Sequence, residues 1–294
     1  MKKMALLLLV LVLAGAVLSA DNTSGRRGTG ISIGAEALIE DLRNIENFWV
    51  LRPFVDFDRS FGPFDVYANV GFDMTFDKNT GSLNTDYGID ANAGFAFNLK
   101  IKEKAVLSFS LGAWIILPFG DNNNIGYPEI YYYGKYRHIS RSTSTSIELM
   151  PGFKYTHKFN FGDIYFGLDI PFEVYTENGS RPFDFAQLQL TAAVVTKAGF
   201  GGGLTFFGDI GRNNTTFEHS IDVFLNFRKG FFFAGAVFTF PVFKDGFKDF
   251  GMIITPEIEI SFFGFSVYAK LPIFNIGGDR RTLFGLTVGA KYSF

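Results

Sequence analysis

Apolar and polar residues alternate along most of this chain, and the last segment shows the pattern most plainly. Every second residue from Phe284 to the end is apolar, while the residues between them are polar or glycine. A period of two residues indicates a β-strand with one apolar face and one polar face. The apolar positions of this segment are Phe284, Leu286, Val288, Ala290, Tyr292 and Phe294.

Three longer segments alternate in the same way, over residues 64–76, 87–99 and 164–175. In the third, the pattern predicts Val174 on the apolar face and Tyr175 on the polar face. Each segment exceeds the mean soluble strand of about 5–6 residues and reaches the ~9–11 residues of a tilted strand that crosses a bilayer. A secreted β-sandwich is the alternative, but aromatic residues near both strand ends are typical of the girdles of a membrane barrel.

Composition excludes several other classes. Hydrophobic residues make up 47% of the chain and the mean hydropathy is +0.16, yet beyond the N-terminal segment no run of roughly 18 apolar residues occurs, which excludes a helical membrane protein. The 38 phenylalanines and 33 glycines suit aromatic strands joined by glycine turns. A formal charge of −2 is not the basic footprint of a nucleic-acid-binding protein. Since the chain has no cysteine, disulfides, thiolate chemistry and a lipoprotein anchor are excluded.

Residues 1–20 have the three parts of a secretory signal peptide, namely a basic start, an apolar run and small residues. Cleavage is predicted after Ala20, with Ala16 as the alternative. An N-terminal transmembrane helix is the competing interpretation, but the apolar run is shorter than the roughly 18–20 residues that a spanning helix needs. We therefore expect export and a single mature domain, residues 21–294.

Short and long connections alternate along the chain, which predicts an antiparallel up-and-down barrel. In such barrels the short turns face the periplasm and the longer loops are extracellular. The short connections lie near residues 60–63, 100–104, 158–162, 229–230 and 263–264.

The number of strands depends on one segment, residues 186–207, which is either one overlong strand or two strands that turn near Thr196 and Lys197. Both chain ends of such a barrel lie in the periplasm, so the strand number must be even. Two strands here give fourteen, and twelve is the alternative if another hairpin is misread. The tyrosine-rich segment 120–143 either constricts the barrel or extends above it, and the sequence favours neither.

The final strand, with its terminal aromatic residue and alternating apolar positions, resembles the C-terminal signal of bacterial outer-membrane β-barrel proteins. The resemblance implies an integral outer-membrane location and recognition of the last strand by the barrel-assembly machinery. In size and strand number the chain is similar to small monomeric fourteen-stranded porins such as OmpG. Fatty-acid transporters of the FadL type also have fourteen strands, but they carry an N-terminal hatch for which this chain has too few residues before its first strand.

If the apolar faces meet lipid, the polar faces line the lumen. The inner set of charged residues on these faces has twelve acidic and five basic members, which include Glu36, Asp56 and Arg52. Glycines on the same faces leave space, and fourteen strands make a barrel wider than side chains alone fill. The predicted pore-lining residues are Asp65, Asn69, Asp73, Asp90, Asn92, Asn98, Glu148, Lys154, Asp169, Glu173, Glu218, Asp222, Asn226, Arg228, Glu257, Glu259, Lys270 and Lys291.

An acidic, water-filled lumen predicts a porin-like channel for passive diffusion of small hydrophilic solutes or ions, with a weak preference for cations. One alternative is a structural or adhesive surface barrel without transport, in which the charges pair and fill the interior. A transporter of hydrophobic compounds and an outer-membrane hydrolase are further alternatives.

Catalytic patterns are weak. The three histidines are His138, His157 and His219, and none lies in the spacing of a serine-hydrolase triad. Asp56 and Asp58 share one strand face, but no histidine joins them as in acidic-pair proteases. No metal-ligand spacing, P-loop or dinucleotide motif is present, so the sequence predicts no enzyme, metal or cofactor.

Overall fold

The computed structural model describes residues 30–39, 41–44, 48–77, 84–119, 145–177, 182, 184, 186–210, 219–241, 251–279 and 281–294. The predicted signal peptide, the tyrosine-rich segment 120–143 and Glu218 lie outside these residues. Within the described ranges, no helix has the length and apolar character needed to cross a membrane.

Fourteen antiparallel strands make up the described part of the chain, and three of them are interrupted. A short 3₁₀ turn, Leu42–Asn44, lies between the first two strands. The strands are β1 (Gly30–Ile39), β2 (Phe48–Phe61), β3 (Phe64–Asp77), β4 (Asn84–Lys102), β5 (Ala105–Phe119), β6 (Ser146–Lys158), β7 (Gly162–Asp169 and Phe172–Thr176), β8 (Gln187–Thr196), β9 (Phe200–Asp209), β10 (His219–Lys229), β11 (Phe232–Pro241), β12 (Met252–Phe262), β13 (Phe265–Lys270 and Ile273–Ile276) and β14 (Leu283–Phe284 and Leu286–Ser293).

Each strand pairs with its neighbours in the sequence, and β1 pairs with both β2 and β14. The sheet is therefore a closed up-and-down barrel, as predicted, and closure removes the unpaired edges of an open sheet. The uncertain segment 186–207 forms two strands, β8 and β9, joined at residues 197–199. The preferred count of fourteen strands is confirmed.

Two of the interruptions share one pattern around a proline. In β7 the break falls at Ile170 and Pro171, and the N–H of Ile170 donates to the carbonyl of Pro151 on β6 at 3.0 Å. In β13 it falls at Leu271 and Pro272, where the N–H of Leu271 donates to the carbonyl of Pro256 on β12 at 3.0 Å. Pro171 and Pro272 have no N–H to donate to the ladder at these two breaks.

A register shift follows the β7 break and changes which face a tyrosine occupies. Glu173 pairs with Glu148, whereas Tyr175 pairs with Ile147, one residue out of step. Tyr175 consequently lies on the outward face and is 48% exposed. The prediction that Tyr175 faces inward was wrong, because a bulge inserts one residue and reverses the alternation beyond it.

Candidate functional site: the inward face of the barrel

The two faces of the barrel wall differ sharply. Asp73 and Asp90 are fully buried at 0% exposure on one face, where many other polar side chains also lie. The other face exposes large apolar side chains on almost every strand, including Phe72, Val288 and Tyr292. Exposed apolar surface of this extent is incompatible with water on the outside, and it is the outer surface of a membrane-embedded barrel. The face that carries Asp73 and Asp90 is therefore the inward face.

The register places every described member of the predicted pore-lining set on the inward face. For example, Asn92 pairs with Trp114 and Asn69, and Glu257 pairs with Lys270. Residues predicted for the C-terminal signal lie on the outward face. For example, Phe284 pairs with Ile273, and Val288 pairs with Ala269. These positions define faces, and passage through the barrel is a separate question.

Arg52 on β2 is the centre of a buried ionic cluster. Its Nη1 lies 3.0 Å from Glu36 Oε1 on β1, and its Nη2 lies 3.1 Å from Asp90 Oδ2 on β4. Nε lies 3.5 Å from Asp73 Oδ1 on β3, and Nη2 also donates to Asn69 Oδ1 at 2.6 Å. All four ionisable side chains are at most 7% exposed. One guanidinium thus ties together four neighbouring strands, with a fork geometry that suits several carboxylates. We call these four residues the Arg52 cluster.

Neutral donors extend this cluster along the wall in both directions. The Tyr268 hydroxyl on β13 donates to Glu36 Oε2 at 2.8 Å. On the other side, Trp114 on β5 donates its indole N–H to Asp90. Asn69 donates to Asp56 on β2. Hydrogen-bonded polar groups therefore line the wall from β13 through β1 to β5, which is how buried charge is tolerated.

Glycines on the inward face accommodate the large side chains of this wall. A Cβ on Gly71 would collide with the Arg52 guanidinium, and one on Gly289 would collide with the Tyr268 ring. A Cβ on Gly94 would likewise collide with a tyrosine, Tyr67. The prediction that inward glycines leave open space was wrong at these positions, because neighbouring side chains lie flat across them.

A second group of charges, on β10 to β13, lies in contact with water. Arg228 Nη2 is 3.1 Å from Glu259 Oε2, with side chains 23% and 18% exposed. Lys270 Nζ is 3.3 Å from Glu257 Oε2, with side chains 24% and 28% exposed. Ser261 donates to Glu259 Oε1 at 2.9 Å. We call these two ion pairs the hydrated pairs, because solvent reaches each of the four charged side chains.

Sequence reasoning missed the aromatic and apolar part of the inward face. Trp114, Ile116 and Met150 form a buried apolar cluster there. The signal was available, since the positions Ser110, Gly112 and Trp114 continue one polar face of β5. Other buried aromatic side chains at inward positions are Phe54, Phe207, Phe233 and Phe274.

The groups considered for catalysis are separated. His219 is exposed on the outward face, where its ring lies 5.9 Å from that of Phe206, while Ser220 is buried on the inward face. His157 is also outward and bonds through Nδ1 to the Tyr155 hydroxyl at 3.0 Å. His138 lies outside the described residues. In the ranges that the structure describes, no cluster of His, Asp and Glu could hold a metal ion.

No protein-family model and no curated protein sequence matches the chain. Among solved structures, CdiB from Acinetobacter baumannii superposes with a TM-score of 0.50 at 6% identity, over 95% of this chain and 64% of that one. The chain thus spans less than two thirds of CdiB. Lower scores are found for the outer membrane protein Omp33 from Acinetobacter baumannii (0.46, 10% identity, 91% of this chain and 99% of that one) and the Ralstonia pickettii toluene transporter TbuX (0.47, 10%, 90% and 89%).

The likeness to CdiB concerns the fold alone, since so low an identity carries no information about activity. The closed antiparallel barrel, its strand number and its apolar outer face together define the class. The chain has the fold of an outer-membrane-type β-barrel, and the architectural resemblance to porins that the sequence indicated is confirmed at this level.

Proposed function

We propose that this chain is a porin-like channel of the bacterial outer membrane, through which small hydrophilic solutes or ions diffuse passively with a weak preference for cations. In this proposal the predicted signal peptide directs export and is cleaved. The last strand, which ends at Phe294, is the element that the barrel-assembly machinery recognises. The closed barrel and its apolar outer face support a membrane location.

The observation that carries the proposal is the acidic excess on the inward face. Leaving Glu218 aside, the predicted inner set with Glu36, Asp56 and Arg52 holds eleven acidic and five basic residues, and the strand registers support an inward position for each of them. Ion pairing one to one leaves more carboxylates than bases. An excess of negative charge in a low-dielectric enclosure raises the local concentration of cations.

The hydrated pairs are charged groups of the inner set that solvent reaches, so ions that pass through the barrel would come near them. Their side chains are about a fifth to a quarter exposed, whereas those of the Arg52 cluster are almost closed to solvent. A passive channel needs no more than a wetted path with weak sites along it, since strong binding slows release. The partial exposure of the hydrated pairs supports such a path beside β10, β12 and β13.

A structural barrel without transport is the second candidate, and the Arg52 cluster favours it. Buried charges and glycines covered by neighbouring side chains are features of a packed interior. In that case the charges hold the wall together, and no solute passes.

Conductance in a planar lipid bilayer distinguishes the two candidates. The refolded mature protein is added at low concentration under a range of voltages, with a heat-denatured sample as the control. The channel proposal expects discrete current steps, and in a potassium chloride gradient a reversal potential of the sign given by cation preference. A refolded barrel that inserts without any current steps would contradict the channel proposal and favour the structural alternative.

A further inference from the structure

On the strands that the structure describes, the charged residues of the outward face are all basic. Along the strands that the structure describes, every outward position is apolar, glycine or uncharged, except for three bases and two histidines. The bases are Arg59 on β2, Lys102 on β4 and Lys229 on β10, and the histidines are His157 and His219. No carboxylate occupies an outward position in these strands.

All three bases lie at the same end of the barrel, next to the short turns. Arg59 and Lys229 stand at or just before the ends of β2 and β10. Lys102 is outward because a register shift after Lys100 pairs it with Ala105, so that the strand's alternation is reversed at its end. At the opposite end, where the long connections leave, the outward histidine of the described strands is His219.

Two of these bases have an aromatic neighbour. The Arg59 guanidinium lies 5.1 Å from the ring centroid of Phe61, a cation–π distance, and the pairing partner of Arg59 is Val66. Lys229 pairs with Phe232 on β11. Both bases are exposed. Exposed bases next to aromatic residues at the end of an apolar face are typical of the boundary between hydrocarbon and headgroups.

We propose that this turn-side collar, defined as Arg59, Lys102 and Lys229, binds the phosphate groups of anionic phospholipids in the leaflet on the short-turn side. The collar continues the apolar surface that contacts lipid, so its occupant is the next layer of the same bilayer. Positive charge without acidic neighbours on that face complements an anionic headgroup, and each such base near a membrane surface contributes measurably to its binding. The inference requires a membrane-embedded barrel and is independent of channel activity.

The test compares lipids at the barrel surface by electron paramagnetic resonance. The refolded protein is reconstituted in phosphatidylcholine vesicles with a trace of spin-labelled phosphatidylglycerol or spin-labelled phosphatidylcholine. We expect a relative association constant of about two or more in favour of phosphatidylglycerol, falling with added salt. The triple variant Arg59→Gln, Lys102→Gln, Lys229→Gln should bring this ratio to unity.

A matched variant separates the collar from general electrostatics. Lys100, Lys104 and Lys197 are exposed bases at the same end, in turns or at an inward position. Replacing all three with glutamine removes the same charge and should leave the lipid ratio unchanged. Conversely, Arg59→Lys retains the charge and should preserve the lipid ratio. Folding of each variant is checked by the change in electrophoretic mobility that heating causes in a folded barrel. A ratio of unity in the unmodified protein, or an equal fall in both triple variants, would overturn the proposal.

Discussion

The Arg52 cluster and the hydrated pairs use the same kinds of residues on the same inward face, yet they differ in access to water. In the Arg52 cluster one arginine meets three carboxylates, and none of these side chains is more than 7% exposed. In the hydrated pairs each base meets one carboxylate, and every side chain is 18% exposed or more. The first arrangement crosses four strands, while the second joins β10 to β12 and β12 to β13.

Burial decides what each arrangement can do. Charges withdrawn from water must be satisfied by each other, so removing one partner leaves a costly unpaired group. Charges that remain wetted are screened and contribute little to stability, but they set the electrostatic potential of the space beside them. We therefore expect the Arg52 cluster to hold the barrel wall and the hydrated pairs to act on ions.

The largest expected effect comes from Arg52→Met. Without the guanidinium, Glu36, Asp73 and Asp90 lose their shared cation, and the free energy of unfolding should fall by about 3–5 kcal/mol. Urea unfolding in micelles, followed by the fluorescence of Trp49 and Trp114, measures this loss.

The matched substitution among the hydrated pairs is Arg228→Met, which should cost only about 0–1 kcal/mol. Equal losses for the two arginine variants would show that burial does not distinguish the two regions.

A smaller loss is expected from Gly71→Ala. The added Cβ would collide with the Arg52 guanidinium, so the cluster must shift, at a cost of about 1–3 kcal/mol. The control is Gly167→Ala, where the nearest atom, Thr191 Cβ, would be 3.7 Å from the new methyl group. An unchanged unfolding midpoint for Gly71→Ala, beside an unchanged control, would mean that the guanidinium moves aside freely.

The smallest effect on stability, with a distinct effect on ions, is expected from Lys270→Gln. Loss of this partly exposed base should change the free energy of unfolding by about 0–1 kcal/mol. It should also make the net charge of the lumen more negative. The potassium-to-chloride permeability ratio should therefore rise, as measured from the reversal potential in a salt gradient. A fall in that ratio would contradict the position of Lys270 beside a permeation path.

Much of the fold was predictable because alternation and turn length are local signals. The face of each described pore-lining residue follows directly from a period of two. The split of residues 186–207 followed from strand parity. The reversal at Tyr175 was not predictable, because a bulge after Pro171 depends on how β7 pairs with β6.

The site was less predictable than the fold, for a physical reason. Alternation predicts the face on which a side chain lies. It does not predict how far the side chain extends over neighbouring strands or which residues it contacts there. That Arg52 lies over Gly71, and that Tyr268 lies over Gly289, depends on how the side chains of adjacent strands pack against each other. The sequence likewise shows Glu36 and Glu257 only as two inward acids. In the structure Glu36 is buried in the Arg52 cluster, whereas Glu257 is partly exposed in a hydrated pair.

The reversal potential of a double variant tests most directly whether the hydrated pairs lie beside a permeation path. Glu257→Gln with Glu259→Gln removes both carboxylates of the hydrated pairs, and Glu103→Gln, in the exposed turn between β4 and β5, is the control. In a potassium chloride gradient we expect cation preference in the unmodified and control channels and a permeability ratio near unity, or below it, in the double variant. A double variant with unchanged cation preference would contradict the account.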